Sequence, residues 1–350
     1  MDLDPPVIEE RFSLLPSWEL QSLVGQPPAK IHVRNLQTSM KIARDAWGRY
    51  DKEQPVLVSV AVSLRHAFES ASAQDEVTNS TVHYGTLSKA VLEACRYFSD
   101  TPTDLYPREE KKEATALSAL VTLIGVKLIR SNDEEAETHK HLGRPLLTPS
   151  AVTCLEVRVM LPKSSLLGSR VSLTLSTFFG PQIVRVTSFV LSLHDLKIPT
   201  LIGVNPNERL AKQLVIANVC IEQWDHLPDS YNELEQVVSK TIEESSFRTL
   251  ESLAKHLGER IISCFIIPYT RTEAQNSEDT WVFPCIKICL EKPTAVTFAD
   301  APMVEAVVYS HPEKNEYAKA LWLESAAGAD FDLPPFPLQG SLGEWVASNR

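Results

Sequence analysis

The sequence predicts an α+β protein that contains two copies of one β-β-α-α-β-β unit. Segments with alternating apolar residues, and segments with apolar residues at helical spacing, follow each other in the same order in both halves of the chain. The length of 350 residues also suits two domains of ordinary size. Each copy would form a four-stranded antiparallel sheet with two helices on one face.

The first copy is predicted at residues 30–183, after an acidic, proline-rich extension at residues 1–29. Its strands are expected at 31–36, 55–64, 155–161 and 171–175. Its two helices follow from apolar residues at helical spacing, which are Leu87, Val91 and Ala94 in the first and Leu117, Leu120, Ile124 and Leu128 in the second. The charged stretch 99–114 between them is expected to be a loop.

The second copy is predicted at residues 184–310, after a break near Gly180-Pro181. Its strands are expected at 186–193, 213–222, 285–290 and 303–309. Its helices follow from Leu234, Val237, Val238 and Ile242, and then from Leu250, Leu253, Leu257 and Ile261. Residues 311–350 form a C-terminal tail, whose proline-rich stretch 333–337 opposes regular structure.

Composition excludes several classes of protein. The net charge of −11 argues against a nucleic-acid partner, because proteins that bind phosphate backbones usually carry a basic face. No stretch reaches the ~18 apolar residues of a membrane span, and the N-terminus lacks the pattern of a secretion signal. The six cysteines form no C-x-x-C pair, so we expect reduced thiols in a cytoplasmic protein.

Common catalytic and cofactor motifs are missing. Only 12 glycines occur, and the sequence contains no G-x-S-x-G, H-E-x-x-H or G-x-G-x-x-G pattern. His139-Lys140-His141 lies beside acidic residues and is more typical of a solvated loop than of a metal site. We therefore predict neither a metal nor a cofactor.

The outer strands of such a sheet would remain open to pairing. Two copies in one chain favour edge-to-edge closure of the sheets into a barrel, both within the chain and with other chains. We expect a homo-oligomer that assembles through these edges.

Four short motifs of the second half resemble the dihydroneopterin aldolase family. They are residues 194–204 (HDLKIPTLIGV) followed by Asn207-Glu208-Arg209 and Gln213, then Asp229-Ser230-Tyr231, then Phe247 with Leu250-Glu251-x-Leu253-Ala254, and finally Leu290 to Val296 (LEKPTAV). The first half matches more loosely, through Gln54-Pro55, Asp75 and Ser80 to Gly85 (STVHYG). The resemblance covers about residues 30–310, and tandem copies of this domain also open the multifunctional folate-biosynthesis proteins of fungi. The length of this chain leaves no room for the kinase and synthase parts of those proteins.

The resemblance implies the tunnelling fold and a retro-aldol cleavage of 7,8-dihydroneopterin. The products are 6-hydroxymethyl-7,8-dihydropterin and glycolaldehyde, often with epimerisation of the side chain, and neither a metal nor a Schiff base is used. Glu251 would anchor the pterin through a bidentate hydrogen bond, with Leu250, Val82 and Thr81 lining the ring. Lys292 would act as general base with a water molecule, Tyr84 or Tyr231 would relay the proton, and Glu208 would position Lys292 or the side chain of the substrate.

Each of these residues also has a purely structural interpretation. Glu251 could serve only the dipole of its helix, because it lies in the first turn. Lys292 could be a solvated residue at a strand end, Tyr231 an apolar anchor at the start of its helix, and Glu208 a turn residue.

The two copies differ at the residues that matter for chemistry. Alignment on the shared glutamines, Gln54 and Gln213, places Arg49 opposite Glu208, and alignment on Leu120 and Leu253 places Ser118 opposite Glu251. Lys163 is the counterpart of Lys292 in this alignment. In the family, pockets form between neighbouring domains, so we predict a composite site with residues 81–84 from a first copy and the charged residues from a second copy. The opposite interface, which pairs Tyr231 with Ser118 and Arg49, would be inactive.

Two other functions stay open at this point. The chain could be a non-catalytic pterin-binding or scaffolding protein, because both copies have lost residues of the family pattern. It could also act on a related bicyclic substrate, because this fold serves other purine-like and pterin-like ligands.

Overall fold

The fold is described from a computed structural model of the chain. The structure describes residues 13–326, with gaps at 79–80, 102–107, 131–139, 181–184, 227–228 and 275–281. The proline-rich stretch 333–337 and His139 therefore lie outside the described residues.

Eight long strands form one antiparallel sheet in which each strand pairs with the next strand of the chain. They are β2 (Ala29–Lys41), β3 (Glu53–Leu64), β4 (Val152–Leu161), β5 (Arg170–Phe179), β6 (Arg185–Thr200), β7 (Gln213–Glu222), β8 (Cys285–Glu291) and β9 (Met303–Tyr309). A two-residue strand, β1 (Ser13–Leu14), runs parallel to β6 outside this order.

The predicted four-stranded sheets are joined into one continuous sheet. β5 and β6 pair along ten residues of β5, from Arg170 beside His194 to Phe179 beside Arg185. The boundary predicted between residues 183 and 184 lies outside the described residues, between these two paired strands, and the limits of the two domains stay a prediction.

Alternation along the strands produces one apolar face. In β7 the side chains of Val215, Ala217, Val219 and Ile221 are completely buried against the helices, as the period of a half-buried strand requires. The same register irregularity occurs in both halves: Asn35 in β2 and Asp195 in β6 have positive φ angles of 54° and 55° at the bulge.

Nine α-helices are found in the described part of the chain. They are α1 (Ser17–Val24), α2 (Glu69–Gln74), α3 (Tyr84–Asp100), α4 (Arg108–Ala114), α5 (Leu117–Leu128), α6 (Tyr231–Glu243), α7 (Leu250–Ile261), α8 (Ile267–Ala274) and α9 (Glu316–Ala326). A π-helical turn, Ile262–Ile266, joins α7 to α8. None of these helices is long and apolar enough to cross a membrane.

The prediction of a loop at 99–114 was wrong, and the tail contains a helix that was not predicted. The charged stretch 99–114 contains α4, whose sequence REEKKEA consists mostly of residues with high helix propensity but has no apolar stripe. The tail contains α9, which is fixed by the buried Ala318 and by a hydrogen bond of 3.0 Å from the Trp322 indole to the Ser310 carbonyl.

The N-terminal extension packs on the sheet through β1 and α1. Leu20 of α1 is completely buried against Cys154 and Val186, which point away from the apolar face. The carboxylate of Glu222 accepts hydrogen bonds of 2.8 Å from the Ser17 amide and hydroxyl. This extension therefore covers part of the face opposite the long helices.

The helices follow the same plan in both halves. α3 packs on β2 and α5 on β4 and β5, while α6 packs on β6 and α7 on β8 and β9. As a result, the N-termini of α3 and α7 belong to opposite ends of the strand order. The two outer strands, β2 and β9, have only one strand partner each among the described residues.

Candidate active site

An ion pair between Glu208 and Lys292 forms the centre of the candidate site. Glu208 lies on a short 3₁₀ helix, Pro206–Arg209, between β6 and β7, and Lys292 directly follows β8. One carboxylate oxygen of Glu208 accepts from the Lys292 ammonium. The other accepts hydrogen bonds of 3.0 Å from the backbone and side-chain nitrogens of Asn205.

The pair is asymmetric in exposure and charge. The side chain of Lys292 is 8% exposed and that of Glu208 is 19% exposed, so solvent reaches the carboxylate more easily. The hydrogen bond from Lys292, helped by the amide of Asn205, lowers the pKa of Glu208 to about 2. Glu208 is therefore ionised at neutral pH and holds the ammonium of Lys292 in a fixed place.

A cleft of about 350 Å³ opens beside Glu208. It is lined by Asn205, Asn207, Glu208, Ala211, Gln213, Thr294 and Ala295. The side-chain amide of Gln213 donates to the carbonyls of Ile202 (2.8 Å) and Glu208 (3.0 Å), which fixes the turn that carries the carboxylate. The volume suits a small bicyclic ligand.

Gly203 allows Glu208 to fold back onto this turn. Its φ angle is +148°, and a Cβ atom there would lie 2.4 Å from the Cβ of Glu208. Both observations exclude any other residue at this position without displacement of the carboxylate.

Replacing Gly203 with alanine should move Glu208 and reduce any activity of the site strongly. Gly48→Ala is the matched control, because Gly48 also has a positive φ (+72°) but has nothing within 4 Å of the added Cβ. We expect both variants to lose about 1–3 kcal/mol of stability through backbone strain, and only Gly203→Ala to lose activity. Equal activities of the two variants, measured with their melting temperatures, would contradict the role of this close approach.

Arg209 ties this turn to the N-terminus of α7. Its guanidinium donates to the carbonyls of Phe247 (3.2 Å) and Ser246 (3.0 Å). Thr249 caps α7, Leu250 is buried in the first helical position, and Glu251 follows as an exposed residue. Glu251 thus belongs to the neighbouring segment but does not line the cleft beside Glu208. The E-R pair of the family motif was the signal that could have identified Arg209 as a positioning residue.

The tyrosine segment of the first half lies far from these charges within one chain. Tyr84 begins α3, is 70% exposed and stacks on the ring of His83 at 5.1 Å. His83 caps the helix by accepting hydrogen bonds from the amides of Gly85 (3.0 Å) and Thr86 (3.3 Å). Thr81 and Val82 are half-buried just before it.

The strand order places the elements that carry the two groups in different halves of the sheet. α3 packs on β2 and α7 on β9, which are seven steps apart in the sheet. At about 4.8 Å per step, this separation is roughly 34 Å along the sheet. The structure therefore brings Glu208 and Lys292 together, keeps Glu251 nearby, and does not bring Thr81, Val82 or Tyr84 to them within one chain.

Tyr231 has a structural role in this fold. It is completely buried, and its hydroxyl accepts from the Arg44 amide (2.7 Å) and donates to the Arg44 carbonyl. Both hydrogen-bonding directions of the hydroxyl are occupied, and burial raises its pKa well above the usual range. Of the two interpretations weighed from the sequence, the geometry favours the anchor over the proton relay.

The matching place in the first half is filled by the protein itself. Gln54 donates to the carbonyls of Ile42 (2.6 Å) and Arg44 (3.1 Å), as Gln213 does in its own turn. Here, however, Ser164 and Tyr231 also bond to Arg44. Asp229 accepts from the Leu117 amide at the N-terminus of α5, at 3.1 and 3.3 Å.

The alignment of the two halves is partly corrected by the strand register. Ser118 and Glu251 are both the second residues of their helices, α5 and α7, as aligned. In the second half, Glu291 pairs with Ile216, and Ile216 is three residues after Gln213. In the first half, Met160 pairs with Leu57, and Leu57 is three residues after Gln54. Lys292 follows Glu291 and Leu161 follows Met160, so Leu161 is the counterpart of Lys292 in the first half. The prediction that Lys163 is this counterpart was wrong. Leu161 is completely buried and carries no charge.

Burial of Asp229 predicts a pH-dependent stability. Desolvation raises the pKa of this carboxyl to about 7 in the folded chain. The protonated carboxyl of Asp229 therefore contributes stability that is fully present below the unfolded pKa of ~3.9. This contribution is lost as the pH rises towards 7. The Asp229→Asn variant has no carboxyl group to titrate at this position. The free energy of unfolding of the wild type minus that of the variant should therefore fall between about pH 4 and pH 7.

Urea unfolding at several pH values measures this difference. Asp75→Asn, which neutralises an exposed carboxylate, is the control and should follow the wild type. A constant difference between the wild type and Asp229→Asn across this range would rule out the titration of Asp229.

Comparison with known proteins supports the sequence resemblance. Residues 191–307 match the family model described as FolB, dihydroneopterin aldolase. The folic acid synthesis protein fol1 of Schizosaccharomyces pombe is 25% identical over 276 residues, which cover 78% of this chain and 30% of that protein. The chain thus spans less than a third of the length of this relative. The resemblance of this chain to the dihydroneopterin aldolase family is confirmed.

Two solved structures are also similar. A highly active mutant of urate oxidase from Bacillus sp. TB-90 has a TM-score of 0.50 at 8% identity, over 80% of this chain and 99% of that chain. This likeness concerns the fold alone. The dihydroneopterin aldolase of E. coli, solved in complex with neopterin, has a TM-score of 0.27 at 23% identity, over 34% of this chain and 97% of that chain.

Proposed function

We propose that this chain, whose residues 191–307 resemble dihydroneopterin aldolases, is an aldolase-like lyase that cleaves 7,8-dihydroneopterin. The products would be 6-hydroxymethyl-7,8-dihydropterin and glycolaldehyde, with epimerisation of the side chain as a second reaction. The observation that carries the proposal is the pair of Glu208 and Lys292 at the edge of a cleft of about 350 Å³. We further propose that each half of the chain is one tunnelling-fold copy, which the matching bulges at Asn35 and Asp195 support.

The reaction requires movement of two protons. A proton leaves the hydroxyl of the second side-chain carbon, and this carbon becomes the carbonyl of glycolaldehyde. The bond between the first and second side-chain carbons breaks, and the electron pair of this bond moves toward the C=N bond of the ring. A proton then returns to the first carbon. Lys292 with a water molecule would exchange these protons, and Glu208 would hold its ammonium in place. Glu251 would accept the N–H and amino group of the pterin through its two oxygens.

We propose that the complete site forms between two chains. The junction of β5 and β6 inside the chain supplies a template, because there the N-terminus of α5 meets residues 229–231 at the start of α6. A β9 edge packed beside the β2 edge of a second chain would bring the start of α3 to the N-terminus of α7 in the same way. Tyr84 of the second chain would then approach Val204, the counterpart of Arg44, next to the turn that carries Glu208.

Exposed apolar side chains support this assembly. Leu210 (86% exposed) precedes Ala211 of the cleft lining, Phe298 (100% exposed) follows Ala295 by three residues, and Val204 and Val296, each next to a lining residue in sequence, are about half exposed. Such a concentration of exposed apolar surface is typical of an interface. The proposed partner is a second copy of the chain, joined through sheet edges, and we place such an assembly in the cytoplasm.

The internal junction also indicates how the pterin would bind. The carboxyl group of Asp229 accepts the hydrogen bond of the Leu117 amide, which begins α5 in the first half. At the proposed interface its counterpart is Val82, which has no carboxylate to offer to the amide of Leu250. An acceptor of the ligand would take that place beside Glu251, with Thr81 and Val82 covering the ring.

The alternative is a pterin-binding protein without catalytic activity. It is favoured by the filled first-half site, in which Tyr231 and Asp229 leave no room for a ligand. Incubation of the purified chain with 7,8-dihydroneopterin, followed by measurement of glycolaldehyde, separates the two functions. We expect release of glycolaldehyde together with 6-hydroxymethyl-7,8-dihydropterin. Tight pterin binding without release would support the alternative and reject the lyase.

A further inference from the structure

A second cleft lies between α6 and α7 and shares no lining residue with the cleft beside Glu208. Its volume is about 420 Å³, and its lining includes Lys240, Glu244, Ser246, Phe247, His256 and Arg260. The carbonyls of Ser246 and Phe247 bond to Arg209, whereas Phe247 contributes its side chain to this cleft. The two clefts are therefore separate, and the proposed lyase reaction uses none of the cationic residues of the second one.

The cleft has a local excess of positive charge in an acidic protein. Lys240 and Arg260 face one acidic residue, Glu244, and His256 adds a further nitrogen donor or acceptor. Two nearby carboxylates are paired elsewhere, Glu243 with Lys212 at 3.9 Å and Glu259 with Lys255 at 3.8 Å. Among the described residues, the Arg260 guanidinium has no hydrogen-bond or ion-pair partner. A charged fork with several unused donors is a suitable ligand for an oxyanion.

The C-terminus of α6 does not oppose an anion here, although the carbonyl end of a helix carries partial negative charge. The carbonyl of Ile242 accepts from Thr200 (2.7 Å) and that of Glu243 accepts from Lys212 (3.0 Å). The carbonyl of Lys240 accepts from the Glu244 amide at 3.0 Å. The last turn is therefore largely satisfied by donors of the protein.

An aromatic wall completes the cleft. The rings of Phe247 and His256 lie 5.2 Å apart at an angle of 49°, beside the cationic groups. We propose that this cleft binds a small aromatic phosphomonoester, with its phosphate on Arg260 and Lys240 and its ring against Phe247. The volume lies within the range of small-molecule sites.

Phenyl phosphate is the probe for this site. Calorimetric titration into the full chain at constant ionic strength, without pterin, should give saturable binding that is tighter than that of inorganic phosphate, and phenol should give none. Arg260→Gln should weaken the binding of phenyl phosphate by about tenfold or more, because a charged hydrogen bond is lost.

Lys255→Gln is the matched control for Arg260→Gln. Lys255 also lies on α7 and is also cationic, but its side chain is 79% exposed and does not line the cleft. We expect this variant to bind phenyl phosphate as the wild type does. Absence of saturation, or equal weakening by both variants, would overturn the proposal. The titration does not depend on lyase activity, so its failure leaves the proposed function untouched.

Discussion

Replacing Lys292 with methionine is expected to lower the rate of glycolaldehyde release by about 10²–10⁴-fold, the usual contribution of a general acid–base group. Methionine keeps most of the length of the side chain but cannot carry a proton. Pterin binding should survive, because Glu251 and the amide of Leu250 belong to another element, α7. The rate under substrate saturation, together with a pterin dissociation constant, separates the two effects.

Lys163→Met is the control for this variant. Lys163 follows β4 as Lys292 follows β8, but it is exposed and lies two positions beyond the true counterpart, Leu161. We expect normal activity from it. Because Lys292→Met leaves Glu208 without its cation, melting temperatures must be compared with the activities. A folded Lys292→Met chain that retains more than about a tenth of the wild-type rate would remove Lys292 from proton transfer.

The two tyrosines should respond in opposite ways to removal of their hydroxyls. Tyr84→Phe should reduce activity by about 10²-fold or more without loss of stability, because the hydroxyl is exposed in the isolated chain and would act only at the interface. Tyr231→Phe should cost about 1–3 kcal/mol of stability, since it leaves the amide of Arg44 without its hydrogen-bond acceptor. Its activity per folded chain should be close to normal.

Urea unfolding and glycolaldehyde release, measured on both variants, test this contrast. The two substitutions are chemically identical, so each serves as the control for the other. Equal losses of activity in the two variants would contradict the assignment of Tyr84 to the site and of Tyr231 to the fold.

Much of the architecture could be predicted because strands and helices leave local patterns. The alternation in residues 213–222 predicted β7 with its observed bounds, and the stripe that begins at Leu117 predicted α5. α4 was missed because its residues favour a helix without forming an apolar stripe. Edge-to-edge joining of the two halves within the chain was predicted, but the strands that pair, β5 and β6, were not, because pairing between sheet edges leaves no periodic signal in the sequence.

The candidate site was only partly predictable for a related reason. Motif spacing identified Glu208 and Lys292, which the fold brings into contact across 84 residues of sequence. It could not decide between the two roles of Tyr231, because burial depends on Arg44 in the other half. It also aligned Lys163 with Lys292, whereas the strand register makes Leu161 the counterpart of Lys292. The motif match relied on the proline that follows Leu161 and not on strand pairing.

Complementation between two inactive chains tests the central claim, that each site is shared by two chains. Tyr84→Phe and Lys292→Met chains are purified separately, then mixed in equal amounts under conditions that let subunits exchange. If Tyr84 comes from one chain and Lys292 from another, roughly a quarter of the interfaces carry both wild-type residues after random exchange. We predict recovery of about that fraction of wild-type glycolaldehyde release. If exchange is complete and no activity returns, the two residues do not meet across an interface, and the shared site is contradicted.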